Sequence, residues 1–177
     1  MMRKLMILAV PAVLAASPAL AQSAPVNGQV DIIGSVAGRC MFTLPNKTIS
    51  LGEISLSSTG KLDVSKVNGR SETLTGWCNN TAATMTVTTT QLTTATAAPT
   101  GFDNRVDYTA TATTGSVGAN DTSLTAGAGS ASTVGLFNGT IDVVLSAASS
   151  PGNGLMVAGN YTGNVVVTLT PNVAPAD

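Results

Sequence analysis

The sequence predicts an all-β fold, a two-sheet sandwich of the immunoglobulin-like kind, on two observations. Beyond residue 21, apolar residues alternate with polar ones at period two, and stretches with helical periodicity are nearly absent. The apolar runs are short, about seven in number, and Gly, Asn, Pro and Ser punctuate them.

The chain opens on a different kind of segment. Met1-Met2-Arg3-Lys4 is positively charged, residues 5–16 are apolar apart from Pro11, and Ser17-Pro18-Ala19-Leu20-Ala21 ends in the small residues a signal peptidase reads. Residues 1–21 therefore read as a cleaved secretory signal rather than a retained anchor, since the apolar part is too short to span a bilayer. No later run is long enough for a membrane helix. The expected mature chain starts at Gln22, is exported and soluble, and has no integral membrane segment. Its expected organisation is an N-terminal extension at 22–39, one sandwich domain at 40–171 and a frayed tail at 172–177.

Within the domain, residues 48–54 and 62–67 read as the first two strands after Cys40. Residues 72–78 lead into Cys78, 85–90 alternate onward into Leu92, and 106–112 form a further strand. Residues 133–137 and 140–145 follow, separated by Asn138-Gly139, either a hairpin turn or a bulge in one long strand. The last strand, 164–170, puts Val165, Val167 and Leu169 on one face. The Thr/Ala-rich 93–101 and the Gly/Ala/Ser/Thr-rich 113–132 read as surface loops. Trp77, beside Cys78, is expected to pack in the core near it.

Charge and cysteine content narrow the function. The chain has 8 basic and 9 acidic residues, and loss of Arg3 and Lys4 with the signal leaves it mildly acidic. That is no footprint for nucleic acid or anionic lipid. A surface of Thr, Ser, Asn and Ala suits packing beside copies of the same chain, and equally an ordinary secreted β-protein. In an exported chain the only two cysteines, Cys40 and Cys78, are most simply one disulfide joining neighbouring strands. Closing that loop stabilises the fold by about 4 kcal/mol on the chain-entropy account.

Enzyme chemistry finds little to work with. There is no histidine, so neither a thiol nucleophile nor general acid–base catalysis has its usual partner. Asp103 and Asp107 around Arg105 could form a carboxylate pair but read as a solvated turn with a local ion pair. Asp121-Thr122-Ser123 lacks the glycine and the second copy of an aspartic-protease triplet. The glycine-rich 115–129 has no strand-to-helix context for a phosphate cradle, and the acids lack calcium-loop spacing. The expectation is a non-enzyme with no catalytic, cofactor-binding or metal-binding residues.

The ends of the chain are more specific. Val26-Asn27-Gly28-Gln29-Val30-Asp31-Ile32-Ile33-Gly34-Ser35-Val36-Ala37-Gly38-Arg39-Cys40 resembles the start of chaperone–usher pilin subunits. Ala158-Gly159-Asn160-Tyr161, running into Asn164-Val165-Val166-Val167-Thr168-Leu169-Thr170, is similar to the approach to the final strand in the spore-coat-U-like, archaic branch. The likeness covers both ends and the cysteine pair, while the middle matches only in strand character. Two features depart from type-1-like pilins: the chain runs on past Pro171 instead of stopping on an apolar strand, and the segment around Gly34 is slightly short.

The resemblance implies a sandwich lacking one strand, with residues 26–37 as a donor strand that completes a neighbouring copy. Val30, Ile32 and Val36 share one face, with Gly34 a gap on it; the other reading is an ordinary first strand with Gly34 as a bulge. Val165, Val167 and Leu169 are the expected edge of the acceptor groove. The implied partners are other pilin subunits in a homopolymer, a periplasmic chaperone and an outer-membrane usher. The implied destination is a cell-surface fimbria serving adhesion or biofilm formation. The competing reading is a stand-alone secreted binding module that contacts a glycan or surface through the 93–101 and 113–132 loops.

Overall fold

The computed structural model describes residues 25–172; the expected signal at 1–21 and the tail from 173 onward lie outside the described residues. The chain divides into two units, Met1–Ser35 and Val36–Asp177. In the first, residues 25–35 have no regular secondary structure, and Val30 and Ile32 are 87% and 94% exposed.

The second unit is an all-β sandwich. In chain order its strands are β1 (Cys40–Leu44), β2 (Ser71–Cys78), β3 (Thr84–Thr89), β4 (Leu92–Thr93), β5 (Phe102–Asp103) and β6 (Arg105–Thr114). They continue as β7 (Val117–Thr122), β8 (Ser132–Thr133), β9 (Phe137–Ser149), β10 (Leu155–Met156) and β11 (Val165–Thr170). One 3-10 turn, Val64–Lys66, interrupts the described residues, and no α-helix occurs among them. The larger sheet runs β1-β2-β9-β6, with β7 and β4 both pairing β6. The second sheet runs β11-β3-β8, and β5 with β10 makes a short parallel pair.

Period-two alternation builds the core. Met85 and Val87 on β3 and Val167 on β11 pack in one cluster with Ala110 and Ala112 on β6 and Ile141, Val143 and Leu145 on β9, joined by Val67 and Tyr108. Each fully buried Val, Ile or Met contributes about 1.5–3 kcal/mol of apolar transfer. Cys40 lies directly opposite Cys78 across the antiparallel β1–β2 pair, and the two are disulfide-bonded. Gly76, next on the inward face, admits the close approach of β1: a Cβ there would lie 2.8 Å from the Met41 carbonyl oxygen.

Several elements differ from the sequence reading. Asn138-Gly139 is neither a hairpin nor a bulge, because β9 passes through it in unbroken register, Asn138 opposite Trp77 and Gly139 opposite Gly76. Residues 113–132 are not simply a surface loop. They contain β7, whose Ala119 and Asp121 are buried on the inward face. Inward alanine and aspartate disguised that alternation. Residues 62–67 form a turn rather than a strand, since the Asp63 carboxylate caps the 3-10 turn by accepting from Ser65 N. Trp77 is half-buried and outside the core cluster, because alternation on β2 gives the inward positions to Gly76 and Cys78. Residues 48–54 carry no strand ladder.

Candidate functional site: a groove beside β11

β11 is the outermost strand of its sheet. One side pairs β3 throughout, from Val165 opposite Thr89 to Thr170 opposite Thr84. Its other side has no strand partner among the described residues. Across from it runs the segment from Pro45 to Ser55, which turns at Gly52 (φ +67°). Between residues 46 and 53 this chain makes no backbone–backbone hydrogen bond among the described residues, although Ile49 and Leu51 pack against the core. Most of residues 46–53 and the alternate residues of β11 are exposed, so these two facing lengths of unpartnered main chain are open to solvent, as the edge of a sheet is.

A groove lies between these walls in two halves. One half, about 570 Å³, is lined by Phe42, Ile49 and Leu51, by Leu74, Leu92, Tyr108, Val143 and Leu145, and by Val165 to Val167. The other, about 580 Å³, continues along Gly52 to Ser55 and Met156 to Gly163. Thr48, Ile49, Leu51, Leu92 and Gly163 belong to both halves. The first half is mostly apolar, with Lys47 as its one charged residue; the second carries Glu53.

Buried polar groups brace the groove. The Tyr108 hydroxyl lies 2.8 Å from the Thr90 carbonyl oxygen and 3.0 Å from that of Asn164, so its proton is shared between the end of β3 and the approach to β11. Burial, with the nearby Asp121 carboxylate, pushes the Tyr108 phenol up to about 12, so it stays a donor. Asp121 in turn accepts from the Thr89 amide and hydroxyl, both at 2.7 Å.

The 150–162 region is held by a second cluster. The buried Asp103 carboxylate accepts from Gly152 N at 3.0 Å and Gly154 N at 2.7 Å. Burial alone would raise its pKa, but those amides, the Ser150 hydroxyl and Arg105 together hold it below the usual carboxylate value. The Tyr161 hydroxyl donates to Val157 O at 2.9 Å, and its pKa is raised, chiefly by burial.

The residues singled out from sequence fall as follows. Val165 and Val167 line the groove, while Leu169, on the same face of β11, packs against the core beyond the groove lining. Val30, Ile32, Gly34 and Val36 belong to no strand in the single chain. Val36 is 88% exposed, and a Cβ at Gly34 would meet nothing within 4 Å. The pair read as a solvated turn is not solvated: Asp103 and Asp107 are both buried, and Arg105 Nε lies 3.2 Å from Asp107 Oδ2. That contact is a charge proximity rather than an aligned hydrogen bond.

Sequence reasoning missed Phe42, Leu74, Leu92 and Tyr108 as groove residues. Leu74 and Leu92 carried a weak signal as apolar positions on expected strands; Tyr108 carried none, because its role depends on contacts with Thr90 and Asn164. Among the described residues no group of acidic or sulfur side chains is arranged to hold a metal ion, and no helix is long and apolar enough to cross a membrane. No family model, no curated protein and no solved structure matches this chain.

Proposed function

We propose that the protein is a structural subunit of a bacterial surface fibre, in which residues 26–37 of one copy complete the sandwich of the next. The observation that carries this reading is the groove with unpartnered main chain on both sides. A strand laid between β11 and residues 46–53 meets hydrogen-bonding groups on each side and apolar side chains beneath it, the mode of binding called β-augmentation. The chain also holds a segment of matching character. Val30, Ile32 and Val36 share one face of an extended strand and are almost fully exposed in the single chain. Burying the three contributes about 5–9 kcal/mol of apolar transfer before ordering costs.

On this reading a periplasmic chaperone lends a strand to the groove after export, and the next subunit's segment replaces it at an outer-membrane usher. The product is a homopolymer at the cell surface serving adhesion or biofilm formation. The test is electrophoresis of the secreted protein in SDS with and without boiling, beside a variant lacking residues 22–37. The expected result is a ladder that collapses to monomer on boiling and is absent from the truncated chain. A full-length chain that is monomeric under every condition would overturn the reading in favour of a stand-alone binding module.

A further inference from the structure

The β1–β2 ladder ends at the Cys40–Cys78 pair, yet the chain ahead of Cys40 is held further. The Asn79 main-chain N–H donates to Arg39 O at 3.0 Å. Beyond that point β2 has no more backbone to offer, because the chain turns at Asn80 toward β3. The Asn79 side chain takes over. Its Oδ1 accepts from Arg39 N at 2.5 Å and its Nδ2 donates to Ala37 O at 3.1 Å. A carboxamide carries one acceptor and a donor in a plane, as a peptide group does, so Asn79 extends the ladder by a side chain that imitates main chain.

Gly38, between the two bonded residues, is matched to this arrangement. A Cβ there would lie 2.7 Å from Asn80 Nδ2. Asn80 has little freedom to move away, because its Oδ1 accepts from Ala82 N at 2.8 Å. On the N-terminal side of Ala37 no such contact continues: Val36 is 88% exposed.

We propose that Asn79 is a positioning residue, a clamp that fixes the point at Ala37 from which the N-terminal segment leaves each domain. This rests on the reading that the segment serves the next subunit, and it adds a consequence. A donor strand rooted at a fixed point holds successive subunits at a set angle, whereas one rooted loosely lets them swivel.

The clamp has a chemical reporter, since Arg39 is the one basic residue between Gln22 and Asn46 and trypsin cleaves after it only when the surrounding chain is released. The experiment compares the full-length mature protein with Asn79→Ala and Gly38→Ala. It measures tryptic release of residues 22–39, the melting temperature, and the spread of bend angles in fibres by electron microscopy. Removing the two side-chain hydrogen bonds is expected to speed release about tenfold. The melting temperature and the boiling-sensitive ladder stay as in the parent, and the fibres bend over a wider range of angles. Gly38→Ala, which displaces the same root, gives the same result.

Unchanged release, or unchanged fibre bending despite faster release, overturns the proposal. So does faster release with a matching fall in melting temperature, which would make Asn79 a stability residue only. A parent protein that forms no fibres overturns the polymer reading instead, and with it the positioning role, while the tryptic comparison still shows whether the clamp exists.

Discussion

Ile32→Asp and Ile33→Asp form a matched pair, because the single chain treats the two positions alike: each is 94% exposed. Neither substitution removes packing from the described residues, so the stability of the domain is expected to be unchanged in both. A groove-bound strand separates them. In a strand so bound, period two would turn Ile32, with Val30 and Val36, toward Leu74, Val143 and Val167, and Ile33 to the outside. Ile32→Asp forfeits about 2–3 kcal/mol of apolar burial and adds about 2–3 kcal/mol or more for a carboxylate without a partner in an apolar site. A combined loss of about 5 kcal/mol lowers groove occupancy by roughly three to four orders of magnitude. Ile33→Asp stays within about 0.5 kcal/mol, as exposed substitutions usually do. Unheated SDS electrophoresis of the secreted proteins is expected to show a full ladder for Ile33→Asp and monomer for Ile32→Asp. On the proposed reading, Ile32→Asp co-expressed with the parent is expected to accept a strand but donate none, so that fibres shorten as its share rises. Equal ladders from the two variants, or equal loss, would refute the alternation on which the donor assignment stands.

Other outcomes follow from the bracing of the domain. Cys40→Ala or Cys78→Ala is expected to lower stability by about 4 kcal/mol in urea titration, and a change under 1 kcal/mol would show that another contact holds β1. Tyr108→Phe removes the proton shared by Thr90 O and Asn164 O. About 1 kcal/mol is lost, with hydrogen exchange quickening at the start of β11 before the Met85–Val87 core responds. Asp103 has a folded pKa below its unfolded value of about 3.9. Its contribution is therefore present above pH ~4 and is lost as the pH falls through the lowered folded value. Urea melts between pH 5 and pH 2 are expected to show a shallower acid loss for Asp103→Asn, and an unchanged slope would contradict the assignment.

The strands that carry large apolar residues at alternate positions were legible in the sequence: β2, β3, β6 and β11 lie where alternation puts them, and the Cys40–Cys78 bond followed from export and an even count. What was not legible depends on neighbours. β7 alternates, but its inward positions are Ala119 and Asp121, and the aspartate is tolerable only because Thr89 supplies two donors. Asn138-Gly139 carries a turn signal that lost to a full ladder with β2. Asp103 and Asp107 read as solvated because sequence shows charge but not the partners that meet it, the Gly152 and Gly154 amides at Asp103 and Arg105 with the Ser123 hydroxyl at Asp107. Residues 48–54 are the instructive difference. Their pattern is that of a strand, with Ile49 and Leu51 against the core, yet a ladder needs a second strand beside it and none lies there among the described residues.

That difference bears on how an unfilled domain survives. A groove edged by unpartnered main chain is a template for unwanted pairing, and its walls would be expected to collapse together. The foot of β11 and the strand that leads into the other wall, β1, are instead each tied back independently of any occupant. On one side β1, whose Phe42 lines the groove, is bonded to β2 through Cys40–Cys78, and Thr43 Oγ1 donates to Thr75 O at 3.2 Å. On the other, Tyr108 ties Asn164, at the foot of β11, to Thr90. With these two points held, an incoming strand on the proposed reading has less of the site to rebuild before it binds, and less of its binding energy is lost to ordering. On the proposed reading the strand binds the folded domain and not the unfolded chain, so filling the groove is expected to raise the stability of the recipient by mass action. On the proposed reading the braces keep the gap open until a segment of another copy fills it.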